Sequence, residues 1–199
     1  MSPAKLKVDD AALLAATARA IARLGPARAT VRAIAAEAGL SPGRIVQRFG
    51  SKRALLLAVT AQSADATRLL FERLRARHAS PLAAIRAYAD TLARIGDSPD
   101  TLTHYLSLLQ VEQTDPEFRK NAARDATAVR DELRALLTEA AAAGELRAEA
   151  VVDRGDKLAR RIQVTLGGSL LAWSTLRQGS AREWVREDLD ALLAPLEAR

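Results

Sequence analysis

The apolar and polar positions along this 199-residue chain follow a helical period almost throughout. Ala and Leu supply much of the apolar content, and aromatic residues, which favour strands, make up only 4% of the chain. A Ser or Asp directly before Pro is typical of a helix start, because the side chain caps a backbone N–H and proline has none to leave unpaired. Such pairs occur at Ser41-Pro42, Ser80-Pro81, Ser98-Pro99 and Asp115-Pro116.

These signals, with Gly and Pro as stops, predict about nine helices and no strand. The predicted helices cover residues 9–24, 31–38, 42–48, 52–78, 81–96, 99–112, 116–143, 153–178 and 181–197. A loop is predicted at 144–152. The predicted fold class is therefore all-α, with three N-terminal helices followed by a larger helical domain.

The segment from Thr30 to Phe49 has the most specific pattern. Apolar residues at the i, i+3, i+4 and i+7 positions of its first helix are Val31, Ile34, Ala35 and Ala38. Gly39 suits a left-handed turn, and Ser41 caps a second short helix whose inward residues are Ile45 and Phe49. Two short helices joined in this way predict a helix-turn-helix, although an αα-hairpin inside an ordinary bundle has the same pattern.

The second helix of this motif is predicted to expose side chains suited to DNA. Arg44, Gln47 and Arg48 match the chemistry of guanine, adenine and phosphate contacts. Pro42 and Gly43 have little bulk, so the positively polarised start of the helix can approach a duplex closely.

The distribution of charge strengthens this interpretation. The net charge is +6, and residues 1–55 alone carry ten basic and three acidic side chains, whereas the remainder carries 20 and 21. Such a field attracts nucleic acid or an anionic membrane surface, and a solvated charged face is the open alternative. A membrane-surface helix is disfavoured because the first helix lacks Trp and Phe; its apolar residues include Ala12, Leu13, Ala16 and Ala20.

Composition argues against several other kinds of site. The chain has no Cys and two His, so neither a disulfide nor a His-rich metal site is predicted. It has no nucleophile–base motif, phosphate-binding loop or metal-ligand spacing, so no catalytic residue, metal, cofactor or enzymatic activity is predicted. The N-terminus lacks the apolar core of a signal peptide, and no apolar run approaches the ~18 residues of a membrane span. We therefore predict a cytoplasmic protein.

The stretch A-I-A-A-E-A-G-L-S-P-G-R-I-V-Q-R-F-G-S-K-R-A-L-L resembles the signature of the TetR family of transcriptional regulators. The matching residues are Ile34, Ala35, Ala38, Gly39, Ser41, Gly43, Phe49, Lys52 and Leu55. The detailed match covers about residues 9–57. The family usually has Tyr where this chain has Val46, and often Tyr or His where it has Arg48, so relatives do not predict the operator sequence.

The resemblance implies a homodimeric regulator, by default a repressor, that binds palindromic operator DNA and is released by a small-molecule effector. It also implies a helix-turn-helix domain at 1–55 and a ligand-binding and dimerisation domain at 56–199. Pattern and resemblance together predict DNA contacts from Thr30, Arg32, Ser41, Pro42, Gly43, Arg44, Gln47, Arg48 and Lys52. Thr30 and Lys52 would contact phosphates. The alternative function is a small helical ligand-binding protein or enzyme with an incidental basic N-terminus.

The ligand site is predicted around the helix at 99–112. Residues 104–111 are apolar on most sides, which predicts a central, buried helix, and the few polar groups among them suit a ligand pocket. The predicted ligand-binding residues are Tyr88, His104, Tyr105, Leu108, Val111 and Trp173. For His104, Tyr105 and Gln110, the polar residues of this helix, a satisfied core or surface polar group is the alternative.

By the same resemblance, the dimer interface is predicted on the helices at 153–178 and 181–197. Gly167 and Gly168 lie within the first of these and would permit close helix approach. Close packing within one subunit, or room left for a ligand, is the alternative.

Overall fold

A computed structural model describes residues 8–96 and 98–198, and these residues are helical almost throughout. The α-helices are α1 (Val8–Arg28), α2 (Val31–Ala38), α3 (Pro42–Phe49), α4 (Lys52–Thr60), α5 (Ser63–Arg77), α6 (Pro81–Ala93), α7 (Pro99–Thr114), α8 (Pro116–Ala142), α9 (Ala148–Val151), α10 (Gly155–Leu176) and α11 (Ala181–Leu193). Short 3₁₀ turns follow α6 and α11, and the described part of the chain forms no strand beyond an isolated bridge between Leu146 and Glu197. The all-α prediction is confirmed.

The chain divides into two compact units. The first comprises Met1–Ser63 and Pro99–Ala123, and the second comprises Ala64–Ser98 and Arg124–Arg199. Helix α7 joins the first unit because it packs against α1. The domain boundary between residues 55 and 56 stays a prediction, since these units follow packing rather than chain order.

The first unit is built around a core shared by α1, α2, α3 and α4. Its buried residues are Leu13, Leu14, Ala20, Ile21, Ala29, Ile34, Ala35, Ile45 and Leu55. Because α2 and α3 are each only eight residues long, they depend on this core and on their caps for stability. The core therefore determines how α3 is presented.

The second unit packs α11 against α6 and α10. Buried residues along α10 and α11 include Ile162, Leu166, Val185 and Leu189. Ion pairs join α6 to α11: Asp90 binds the guanidinium groups of Arg182 and Arg186. Apolar burial and charge pairing thus hold the same helices together.

One predicted helix is wrong in extent. The range 52–78 is two helices, α4 and α5, separated by a turn at Ala61 and Gln62. The carbonyl oxygen of Leu57 accepts bonds from Ala61 N, at 2.9 Å, and from Asn121 Nδ2, at 3.3 Å. The helical bond to Leu57 O is thus kept, and α4 ends where Gln62 N bonds instead to Val59 O, three residues back, at 3.0 Å.

Two further expectations need correction. The predicted loop at 144–152 contains the short helix α9, and α10 accordingly begins at Gly155 rather than at 153.

Helix α7 is also less buried than its apolar composition predicts, since only Leu102 and His104 are buried among residues 101–114, and Leu106 is exposed. Apolar content alone does not decide burial, because much of any protein surface is apolar.

Candidate nucleic-acid interface

Local capping positions the helix-turn-helix. Thr30 accepts a hydrogen bond from Ala33 N, at 3.1 Å, and Ser41 accepts one from Arg44 N, at 3.3 Å. Gly39 takes the left-handed conformation, φ 65°, that ends α2. These are the turn and caps predicted from the sequence, and they set the direction in which α3 leaves the turn.

Helix α3 packs two side chains toward the core and exposes its other residues. Ile45 is buried and Phe49 is half-buried against the core, as predicted. The predicted DNA contacts on this helix and its cap are all exposed: Ser41, Pro42, Gly43, Arg44, Gln47 and Arg48. Val46, where the family usually has Tyr, is exposed beside them. The structure therefore places the α3 candidates on one accessible helix, and their contacts with DNA stay a prediction.

The remaining candidates flank α3 in the chain. Thr30 and Arg32 are exposed at the start of α2. Lys52 is half-buried at the start of α4, where its ammonium group donates to the carbonyl oxygen of Ala27, at 2.9 Å. Burial lowers the pKa of Lys52. Its other N–H groups remain as donors for a phosphate oxygen.

Several of the basic side chains in residues 1–55 are held by carboxylates. Arg19 and Arg23 both bind Glu37, at 3.1 Å, and their hydrogen bonds lower the pKa of that carboxyl. Arg53 binds Asp115 and Glu117, and its hydrogen bond lowers the pKa of Asp115. The excess positive charge seen in the sequence is thus partly balanced locally.

Arg48 is held in the same way by Asp10 of α1. Its Nε and Nη2 atoms donate to the two carboxylate oxygens, at 2.9 and 2.6 Å. This contact raises the pKa of Arg48. The sequence analysis did not single out Asp10, because no local pattern connects it with a residue 38 positions away.

The predicted ligand-binding residues fall in both units. His104, Tyr105, Leu108 and Val111 belong to the first unit, and Tyr88 and Trp173 to the second. Their structural contacts include three that do not involve a ligand. His104 donates to Ala22 O, Tyr88 lies 4.6 Å from Phe71 between ring centroids, and Trp173 Nε1 donates to Gly179 O. Their role in ligand binding stays a prediction.

A cavity of about 750 Å³ in the second unit has a different lining. Four basic side chains and one acidic side chain line it, with apolar residues of the C-terminal segment such as Leu192 and Leu196. The charged residues are Arg147, Glu149, Arg154, Lys157 and Arg161. Such a lining suits an anionic group with an apolar part. Arg154, Lys157 and Arg161 are at helical spacing at the start of α10, but only the fold brings Arg147 and the C-terminal apolar residues beside them.

Other kinds of site receive no support in the described residues. No group of three or more His, Cys, Asp or Glu there could hold a metal ion. No helix in that part of the chain is long and apolar enough to cross a membrane.

Comparisons with known proteins agree with this geometry. Residues 13–59 match the family model of bacterial regulatory proteins of the tetR family. A search of curated proteins gives no match.

Solved structures share the fold over nearly the whole chain. A TetR transcription regulator from Haloarcula marismortui has a TM-score of 0.73 at 19% identity, covering 95% of this chain and 98% of that one. A TetR transcriptional regulator from Chloroflexus aurantiacus has a TM-score of 0.70 at 24% identity, covering 95% and 96%. FadR from Bacillus subtilis, solved in complex with stearoyl-CoA, has a TM-score of 0.65 at 17% identity, covering 94% and 98%.

The family model matches the segment that forms the helix-turn-helix, and the fold common to solved TetR regulators extends through both units. Residues 13–59 thus match the tetR family of bacterial regulatory proteins, and the chain as a whole shares the fold of solved TetR regulators.

Proposed function

We propose that this transcriptional regulator is a ligand-responsive repressor that binds a palindromic operator as a homodimer and is released by a small-molecule effector. The observation that carries the proposal is the presentation of α3, which is capped by Ser41, anchored by Ile45 and otherwise exposed. A short helix held in this way can enter the major groove, where Arg44 and Gln47 have the chemistry to read guanine and adenine.

The outer face of α10 supports the homodimer. Val164 and Leu171 are 69% and 59% exposed, and their spacing of seven residues places them on one side of the helix. Gly167 and Gly168 lie between them, and a Cβ added at either would meet nothing within 4 Å. Packing within the chain therefore does not require glycine there, whereas close approach of a second helix would. An exposed apolar row of this kind suits association of two copies.

For the effector, we propose binding around α7, at His104, Tyr105 and Leu108. A ligand releases DNA only if it prefers the conformation that binds DNA less well, so ligand and operator must weaken each other by the same factor. The complex of Bacillus subtilis FadR with stearoyl-CoA makes that acyl thioester a reasonable first probe. The basic cavity of the second unit provides a competing location, and substitution of Arg154 and Arg161 tests it separately.

One experiment tests the DNA-binding proposal directly. Purified full-length protein is mixed with a library of random duplexes, and the retained duplexes are sequenced. We expect an enriched palindrome whose half-sites lie about one helical turn, ~34–36 Å, or a multiple of it apart. Enrichment of no sequence over the starting library would contradict the proposal. An enriched sequence without twofold symmetry would contradict only its homodimeric part.

A further inference from the structure

The carboxylate of Asp10 lies beneath the surface that carries the DNA-binding candidates. Asp10 is 5% exposed, and it accepts both of the parallel hydrogen bonds from Arg48. Asp10 and Arg48 also line a cavity of about 430 Å³ together with Arg44 and Gln47. The ion pair therefore adjoins the two side chains on α3 that are best suited to reading bases.

Arg48 keeps part of its hydrogen-bonding capacity in this arrangement. A guanidinium has five N–H donors, and Asp10 uses two of them along one edge of the group. Three donors remain along the other edges, and the side chain is 48% exposed. The forked end of a guanidinium matches the O6 and N7 acceptors of guanine.

We infer that Asp10 is a positioning residue for operator recognition: it orients Arg48 so that the unused edge of the guanidinium reads a guanine. This inference rests on the proposed function, because it needs a specific operator. Holding a long side chain in one orientation before binding removes the entropy cost of ordering it on the DNA.

The ion pair with Asp10 also changes how Arg48 contributes to DNA binding. An isolated arginine attracts any phosphate backbone and strengthens binding to all sequences. The carboxylate of Asp10 balances the charge of Arg48, so attraction to the backbone is reduced while directional hydrogen bonds to a base are kept. Asp10 thus favours discrimination over general affinity.

The test compares wild-type protein with Asp10→Asn on the selected operator and on a scrambled duplex of equal length. The variant frees Arg48 and adds one positive charge per protomer. We expect tighter binding to the scrambled duplex, a salt dependence steeper by about one to two in a dimer, and about tenfold lower preference for the operator. A loss of folding alone would instead weaken binding to both duplexes.

Glu37→Gln is the matched control. It removes a carboxylate that pairs with Arg19 and Arg23 and adds the same charge, but it leaves the Asp10–Arg48 contact in place. We expect tighter binding to both duplexes with an unchanged preference. Asp10→Glu keeps the carboxylate and should recover part of the preference that Asp10→Asn loses.

A double-mutant cycle covers the case in which Asp10→Asn folds poorly, because Asp10→Asn with Arg48→Gln removes both members of the ion pair. We expect the double variant to have the same preference as Arg48→Gln alone. An unchanged preference for the operator in folded Asp10→Asn, or a double variant whose preference differs from that of Arg48→Gln alone, would overturn the inference. If the wild-type protein prefers no DNA sequence, that result contradicts the proposed function itself. It is distinguishable from a failure of the Asp10 inference, which requires a wild-type preference.

Discussion

At the scale of single residues, Gly25 shows how one backbone conformation shapes the DNA-binding unit. It interrupts α1 with φ 76°, and a Cβ at this position would lie 2.7 Å from Cδ2 of His104. Both the backbone conformation and the close ring therefore require glycine. The segment after this kink presents the carbonyl oxygen of Ala27 to Lys52, so the end of α1 is tied to the start of α4.

The Asp90 carboxylate provides a residue-scale prediction of pH dependence. Hydrogen bonds from Arg182 and Arg186 hold the pKa of Asp90 well below its ordinary value of 3.8. Because the folded pKa is depressed, the stabilisation is fully present above the unfolded pKa and is lost as the pH falls toward the folded pKa. We expect Asp90→Asn to lower the free energy of unfolding at pH 7, and this deficit to shrink below about pH 4.

Urea denaturation of wild type and Asp90→Asn between pH 2.5 and pH 7 measures this deficit. Asp65→Asn is the control, since Asp65 makes a solvent-exposed pair with Arg68 three residues away on the same helix. It should change stability little at any pH. A deficit for Asp90→Asn that stays constant across the range would exclude this account of the ion pair.

At the scale of elements, α3 depends on the cap at its N-terminus. An isolated helix of eight residues is not stable in water, so the Ser41 cap and the burial of Ile45 must hold it. A lost N-cap typically costs about 1 kcal/mol. The first turn of α3 contains Gly43 and Arg44, so fraying there would disturb the surface proposed to contact DNA.

We therefore expect Ser41→Ala to lower the free energy of unfolding by about 1 kcal/mol and also to weaken operator binding. Ser180→Ala is the matched comparison, because Ser180 caps α11 in the second unit through the same kind of hydrogen bond, at 3.2 Å. It should have a similar cost in stability with little effect on DNA. Denaturation and operator titration on both variants decide the matter, and equal losses of DNA affinity would place the recognition surface elsewhere.

At the scale of the whole molecule, the proposed homodimer depends on the outer face of α10. A charge placed at Val164 would have to be desolvated in the interface, whereas in a monomer it would stay in water. We expect Val164→Glu to be folded but monomeric at micromolar concentration, by light scattering and circular dichroism. Val152→Glu is the control, since Val152 is similarly exposed, at 61%, but precedes α10. If Val164→Glu and Val152→Glu had the same mass in solution, that result would contradict a dimer interface on α10.

The sequence by itself determined the helical class, most helix boundaries, the helix-turn-helix and the resemblance of that segment to the tetR family. These features depend on local signals: a helical period of apolar residues, Ser or Thr caps such as Ser41, and Gly39 at a left-handed turn. All act within a few residues of one another. The same local reasoning failed for the predicted helix at 52–78, because no Gly or Pro marks the turn at Ala61 and Gln62.

Tertiary structure alone decided which side chains pair. Arg48 binds Asp10 across 38 residues, Arg53 binds Asp115 across 62, and His104 reaches Ala22 O across 82. Each arginine has many possible carboxylate partners along the chain. The sequence pattern does not distinguish one of these partners from another. The fold brought particular atoms within hydrogen-bond distance: α1 packs against α7 beside His104, and Asp10 of α1 meets Arg48 of α3. The distribution of charge along the sequence therefore predicted a basic N-terminal segment. The fold determined which of the basic side chains in that segment pair with a carboxylate.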